Sequence, residues 1–440
     1  MSGNDPRAII RTEPMGQFQI VAVLICIALN ALDGFDVLAI SFAAPGISKE
    51  WGLGPGALGI VISTGLVGMA AGSLIIAPMA DIIGRRLAII GCLSAMAAGM
   101  FLSATVGDVY MLALWRVVTG LGIGGMLAAI NAMAAEYAND RNRAFAVSVM
   151  TIGYPIGGVL GGKAAAILLG HFDWRAVFIF GGIVSAAMLP VVALRLPESI
   201  EFLALRRPPD ALARINAILT RMGHRAVSAL PAPMAHEKGS VLDIFSPKLL
   251  PRTLSVAGAY FLHILTFYYI LGWVPKIVTS LGFTAQQGTE VSVWTNLGGI
   301  IGGTLFGWMT HRFGLKPLAI VAMLATAAAL VLFGRTAPDL FMLKAMATLL
   351  GFFLFSGVVG LYSVLAKVYP TRLRATGTGF SIGVGRVGGV LGPAIGGWLI
   401  ATGFSRPDAA ALMAAGSVLA AVVLMLLNAR HLRDANDPES

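Results

Sequence analysis

The sequence predicts an all-α membrane protein: twelve transmembrane helices in two six-helix, pseudo-symmetric halves. Three observations predict it. Of 440 residues, 57% are apolar and 12% charged, with a mean hydropathy of +0.83. A soluble domain carries about 25% charge and about 45–50% apolar residues, so the 31 basic and 21 acidic side chains cannot cover the surfaces of soluble domains. Apolar runs of 18 to 27 residues recur along the chain, each long enough to cross ~30 Å of hydrocarbon as a helix. Finally, the two halves repeat one another. A soluble enzyme is excluded first.

The polar residues 1–17 lack the basic, apolar and cleavage regions of a removable signal peptide, so the first apolar run is expected to be kept as a span. Spans are expected at 18–42, 56–79, 87–106, 109–134, 144–168 and 174–194. A polar stretch separates them from six more, at 253–279, 289–310, 317–334, 340–364, 375–401 and 408–429. The organisation is therefore an N-terminal bundle with a short tail (1–194), a cytoplasmic linker (195–252) and a C-terminal bundle with a short tail (253–440). Within the linker, Asp210 to Met222 reads as a short amphipathic surface helix.

Charge placement gives the orientation. Twenty-two Lys and Arg residues fall in the tails, the linker and the loops on their side, against five on the other. That asymmetry places both termini in the cytoplasm. The net charge of +10 follows from the same bias rather than from nucleic-acid binding. Cys26 and Cys92 both lie inside apolar runs, with neither metal-ligand spacing nor a disulfide framework.

The repeat is specific. Arg143-Ala144 precedes Gly157-Gly-Val-Leu-Gly161 by fourteen residues, and Arg374-Ala375 precedes Gly388-Gly-Val-Leu-Gly392 by the same interval. Asp81-Ile-Ile-Gly84-Arg85-Arg86 after span two returns as His311-Arg312-Phe-Gly314-Leu-Lys316 after span eight. Two duplicated six-span halves with a site near the midplane are transporter architecture.

Motifs then narrow the class. Asp81-x-x-Gly84-Arg85-Arg86, Arg116-x-x-x-Gly120-x-Gly122-x-Gly124 and Pro197-Glu198-Ser199 resemble the signatures of the major facilitator superfamily. Asp33-Gly34-Phe35-Asp36 in span one resembles that of the aromatic acid:proton symporters, which take up hydroxybenzoate-like carboxylates with protons. Sugar porters share the Pro-Glu-Ser element and are the nearest alternative. Drug antiporters carry Gly-x-x-x-Gly-Pro-x-x-Gly-Gly in span five, whereas here it stands in span eleven, Gly388 to Gly397, which weighs against efflux.

Asp33 and Asp36 stand three apart, on one side of a helix. An acid within a span is a functional candidate by default. Burial favours the neutral carboxyl and a nearby cation the ionised one, so either acid is a candidate for proton coupling. Asp33 lies about ten residues from the outer end of span one and Arg116 about seven from that of span four; at ~1.5 Å per residue the two levels agree within a turn. Arg116 is thus a candidate ion-pair partner and substrate contact. Arg386 lies near the midplane of span eleven, where its planar fork suits a carboxylate. His263, Tyr268, Tyr269 and Trp273 in span seven, with Tyr154 and Asn296, complete the candidate substrate contacts; Asn131 and Tyr362 are weaker ones. The superfamily resemblance implies a cytoplasmic gate of Asp81, Arg85, Arg86, Glu136, Arg143 and Arg374.

The expectation is a monomeric, multi-pass carrier of the cell's inner membrane that imports an aromatic acid with protons by alternating access, without cofactor, metal or nucleic acid. The alternatives are a sugar or other organic-anion porter and a non-transporting membrane sensor. No output domain follows span twelve, which disfavours the sensor.

Overall fold

The computed structural model describes residues 5–230, 241–370 and 372–427. Lys238, Arg430 and Arg433, which enter the charge asymmetry, and the last two residues of the twelfth expected span lie outside them. A short helix α1 (Pro6–Thr12) leads into α2 (Gln17–Trp51), α3 (Pro55–Ile83), α4 (Arg85–Thr105), α5 (Val109–Tyr137), α6 (Arg143–His171) and α7 (Arg175–Arg195). Two short helices, α8 (Ile200–Arg206) and α9 (Ala211–Met222), and a 3-10 turn (Val241–Phe245) follow. Then come α10 (Leu250–Ser280), α11 (Ala285–Phe313), α12 (Leu315–Arg335), α13 (Leu340–Val368), α14 (Arg374–Ala401) and α15 (Arg406–Leu426). The described residues contain no strand.

The repeat is visible in the helix lengths: 29, 21 and 29 residues for α3, α4 and α5, and again for α11, α12 and α13. Gly84 and Gly314 make the two equivalent sharp turns at φ +103° and +78°, a backbone region that disfavours any side chain. At Gly84 a Cβ would also strike the Glu198 carboxylate.

One expected boundary moves. Span one continues nine residues past 42, through Pro45 to Trp51. Gly46 there brings the helix against Trp174, leaving no room for a Cβ, which would stand 2.9 Å from the Trp174 Cβ and 3.0 Å from its ring, so packing holds a segment whose proline lacks an N–H. Eleven described helices are long and apolar enough to span a membrane. The twelfth, α11, equals α3 in length but opens with Gln286, Gln287, Thr289, Glu290, Ser292, Thr295 and Asn296. Of these, Thr289, Ser292, Thr295 and Asn296 are buried inside the protein.

Contacts between the two six-helix sets run from mid-bundle to the end away from the basic loops. There α3 packs on α14, α6 on α11 and α2 on α10. Small residues allow the approach: Gly59 lies against Gly397 and the Pro393 carbonyl, and Gly162 against Val293. The Ser63 hydroxyl donates to the Val390 carbonyl at 2.7 Å, and Lys276 Nζ to Ser48 Oγ at 3.0 Å. That end is sealed. At the basic end, α8 joins the first set through Arg206, whose Nε donates to the Asp81 carbonyl at 3.0 Å. The 3-10 turn joins the second, where Thr253 Oγ1 donates to the Ile244 carbonyl at 2.9 Å.

Candidate functional site

The Asp33-Gly34-Phe35-Asp36 stretch sits near the middle of α2, and each residue faces something different. Gly34 meets the main-chain carbonyl of Tyr154 on α6, where a Cβ would collide with it. Phe35 stacks edge-on with Phe180 of α7, centroids 5.4 Å apart. Asp36 turns into the first six-helix set, where Ser185 Oγ donates to its Oδ2 at 3.4 Å. Asp33 is buried, and neither of its carboxylate oxygens has a hydrogen-bond partner.

Across the interface, α14 presents Arg386 within electrostatic reach of Asp33. Its Nε is buried without a partner. Four tyrosines lie in the same reach: Tyr154 from α6, Tyr260 and Tyr268 from α10, and Tyr362 from α13. The glycines of α14 make room for them, since a Cβ at Gly385 would enter the Tyr260 ring and one at Gly389 would stand 2.9 Å from Tyr268. The Tyr260 hydroxyl donates to that of Tyr362 at 3.1 Å, and the Tyr154 hydroxyl is buried within reach of Tyr268. Close by, Asn296 Oδ1 and Ser292 Oγ on α11 are also buried without partners. Buried polar atoms are ordinarily satisfied, so this concentration of unused donors and acceptors between the halves is the candidate site.

Three sequence candidates lie elsewhere. His263 is sealed among α10, α13 and α15, with Nδ1 3.0 Å from Ser417 Oγ and Nε2 3.1 Å from the Leu354 carbonyl. Because a carbonyl only accepts, Nε2 carries the proton and Nδ1 accepts from Ser417. His263 is therefore a cross-brace within the second set. His263→Ala should leave the Leu354 carbonyl and Ser417 hydroxyl unpaired, costing about 1–3 kcal/mol. A thermal shift downward with an unchanged order of substrate preference would bear this out, whereas a changed preference would return the histidine to the site. Tyr269, one residue from Tyr268, lays its ring against Gly396 further along α14 and lines a small cavity with Leu330, Phe333 and Ala410. Arg116 is fully buried in the first set, where Nη2 donates to the main-chain carbonyl of Asp36 at 2.7 Å and the guanidinium stands 5.6 Å from the Phe178 ring centre. The expected ion pair is absent because Arg116 meets the Asp36 backbone and not its carboxylate.

At the basic end, Arg85 is ion-paired with Glu136 and lies 3.9 Å from Asp81. Glu198, whose part the sequence reading missed, accepts the backbone N–H groups of Arg85 at 2.9 Å and Arg86 at 3.2 Å. It thereby caps the start of α4, where a carboxylate is favoured by the unpaired N–H groups and helix dipole. Arg86 itself bonds the Ala193 carbonyl. Ser199 Oγ donates to Glu136 at 2.5 Å, and the Tyr137 hydroxyl donates to the Glu198 carbonyl at 2.6 Å. Arg143 stands exposed, outside this cluster, and Arg374 is half-buried on the other set with its Nε unpartnered. The expected six-residue gate is thus a four-residue cluster confined to the first set, joined by Glu198, Ser199 and Tyr137.

Two six-helix repeats with buried charges facing each other across their interface are the architecture of a membrane transporter. The chain belongs to the Major Facilitator Superfamily, whose model matches residues 25–244 and 256–440. It is 29% identical to a gallate transporter of Pseudomonas putida, over 96% of this chain and 95% of that one. With the 4-hydroxybenzoate transporter PcaK of Pseudomonas aeruginosa it shares 28% identity over 96% and 95% of the two chains. Among solved structures, the D-xylose-proton symporter superposes with a TM-score of 0.72 at 17% identity, covering 94% of this chain and 99% of that one. The protein is a transporter and not an enzyme.

Proposed function

We propose that the protein imports an aromatic carboxylate together with protons by alternating access. The observation that carries this reading is Arg386, a guanidinium with an unused donor, facing the unpartnered carboxyl of Asp33 across the two halves among four tyrosines. A carboxylate can take both prongs of the guanidinium, and tyrosine rings offer faces for a flat aromatic ring. A neutral sugar gains little from that charge. The names of the gallate and 4-hydroxybenzoate transporters favour the same substrate class.

Asp33 is the proton site in this reading, and Asp36 with Arg116 forms its support within the first half. The Arg85–Glu136 cluster is a latch at the basic end, which we assign to the cytoplasm with both termini from the distribution of Lys and Arg. The sealed opposite end then faces outward and must part to admit substrate. We place the carrier, as a monomer, in the inner membrane of the cell.

Radiolabelled benzoate, hydroxybenzoates and a neutral sugar, offered to cells with and without an uncoupler, test the proposal. At least one aromatic acid should accumulate, and the uncoupler should abolish its accumulation. Uptake of the sugar alone would overturn the substrate class, and accumulation indifferent to the uncoupler would overturn the coupling.

A further inference from the structure

We infer that His224 is a proton-operated clasp that ties the linker to the first turn of α2. The side chain follows α9, is 5% exposed, and lies between two oxygen atoms. Its Nδ1 is 2.7 Å from Glu13 Oε2, and its Nε2 is 3.1 Å from Gln19 Oε1. Both partners accept. The Glu13 carboxylate has no proton to give when ionised, and the Gln19 amide is oriented by its other bonds. Gln19 Nε2 donates to the Tyr137 carbonyl at 3.1 Å, and Oε1 already accepts the Gly16 N–H at 2.9 Å. A neutral imidazole has one N–H and satisfies one of these acceptors; the imidazolium has two and satisfies both.

The surrounding charges act in known directions. Glu13, from the segment before α2, favours the cation. Arg221 and Arg225 flank His224 on its own segment and oppose it, although Arg221 is drawn aside over the Phe18 ring, 4.6 Å from its centre. From the α5–α6 turn, Asp140 is engaged by Arg11 at 2.9 Å, and from α5 Tyr137 contributes its carbonyl. Met222 completes the joint, with its carbonyl against Gly16, where a Cβ would collide.

The sign follows from the donors. The doubly protonated ring holds both bonds and the singly protonated ring only one, so a fall in pH tightens the clasp and a rise loosens it. The clasp has reach because its partners continue. Gln19 bonds Tyr137, Tyr137 bonds the Glu198 carbonyl, and Glu198 caps the helix that carries Arg85. An unbroken chain of contacts therefore links the linker to the Arg85–Glu136 cluster.

Hydrogen exchange followed by mass spectrometry on the full-length protein in detergent or nanodiscs tests the clasp without any substrate. After correction for the intrinsic pH dependence of exchange, protection of residues 16–21 and 220–227 should fall about tenfold between pH 6 and pH 8, the size of one charge-assisted hydrogen bond. His224→Gln and Glu13→Gln should each flatten that change while peptides in α13 keep wild-type protection. Equal wild-type protection at the two pH values would overturn the proposal, as would an undiminished pH change in His224→Gln. Glu13→Gln keeps the inference testable should the histidine variant fail to fold.

Discussion

Arg386→Ala should abolish high-affinity binding of an aromatic acid, and Arg386→Lys should weaken it by about tenfold or more. The lysine keeps the charge but loses the planar fork, and one decade corresponds to ~1.4 kcal/mol. Removing the cation altogether leaves the substrate's carboxylate unpaired in a low-dielectric site. A competition series of the acid against its amide separates recognition from packing. In wild type the acid should win, and in the alanine variant that preference should collapse, since nothing remains to read the charge. Equal losses for acid and amide in both variants would make Arg386 a packing residue.

Asp33→Asn should eliminate gradient-driven accumulation while exchange of labelled for unlabelled substrate continues. Asparagine nearly preserves the shape of the carboxyl but cannot take up and release a proton. Asp36→Asn should act less directly, because Asp36 faces Ser185 inside the first half and lies one turn from the interface. Proteoliposomes carrying an imposed pH gradient provide the measurement, with exchange at equal pH as the control for folded protein. If Asp33→Asn still concentrates substrate, Asp33 is not where the proton rides.

Most of the fold could be read from hydropathy, because a helix in hydrocarbon must satisfy its own backbone and be long enough to cross. The site was legible as a list of residues but not as a set of directions. Asp33 and Asp36 share a side by spacing, yet three residues leave them about 60° apart, given 3.6 residues per turn. That angle is enough to send one toward Arg386 and the other toward α7. Likewise Tyr260 and Tyr268 stand about 80° apart on α10, with His263 and Tyr269 to either side, so spacing alone does not say which of the four look toward Arg386. Which face looks across the interface depends on how the helix is rotated by its neighbours, and the glycines of α14 receive the Tyr260, Tyr268 and Tyr269 rings in turn, at Gly385, Gly389 and Gly396. Glu198 was visible only as part of a signature. Its capping of α4 exists because α8 folds back beneath that helix, a tertiary fact with no trace in local spacing.

The polar opening of α11 bears on how the protein is made. A helix that begins with Gln286, Gln287, Thr289 and Glu290 has a weak claim on the bilayer when it first leaves the insertion machinery. Some of its polar groups turn back on the helix itself, Thr289 Oγ1 donating to the Ala285 carbonyl and Asn296 Nδ2 to the Ser292 carbonyl, both at 2.9 Å, while its acid and its small-residue contacts depend on other helices. Glu290 is paired with Lys344 of α13 at 2.7 Å, and Gly158 and Gly162 of α6 receive the faces of Asn296 and Val293. Both of those neighbours are remote in sequence, one not yet synthesised and one belonging to the other repeat. α11 is thus held from two sides, by an ion pair from its own repeat and by glycines of the other. The duplication that gave the molecule its symmetry has left its two copies unequal in this respect: α3 is apolar enough to span on its own account, whereas α11 takes part of its support from the facing repeat.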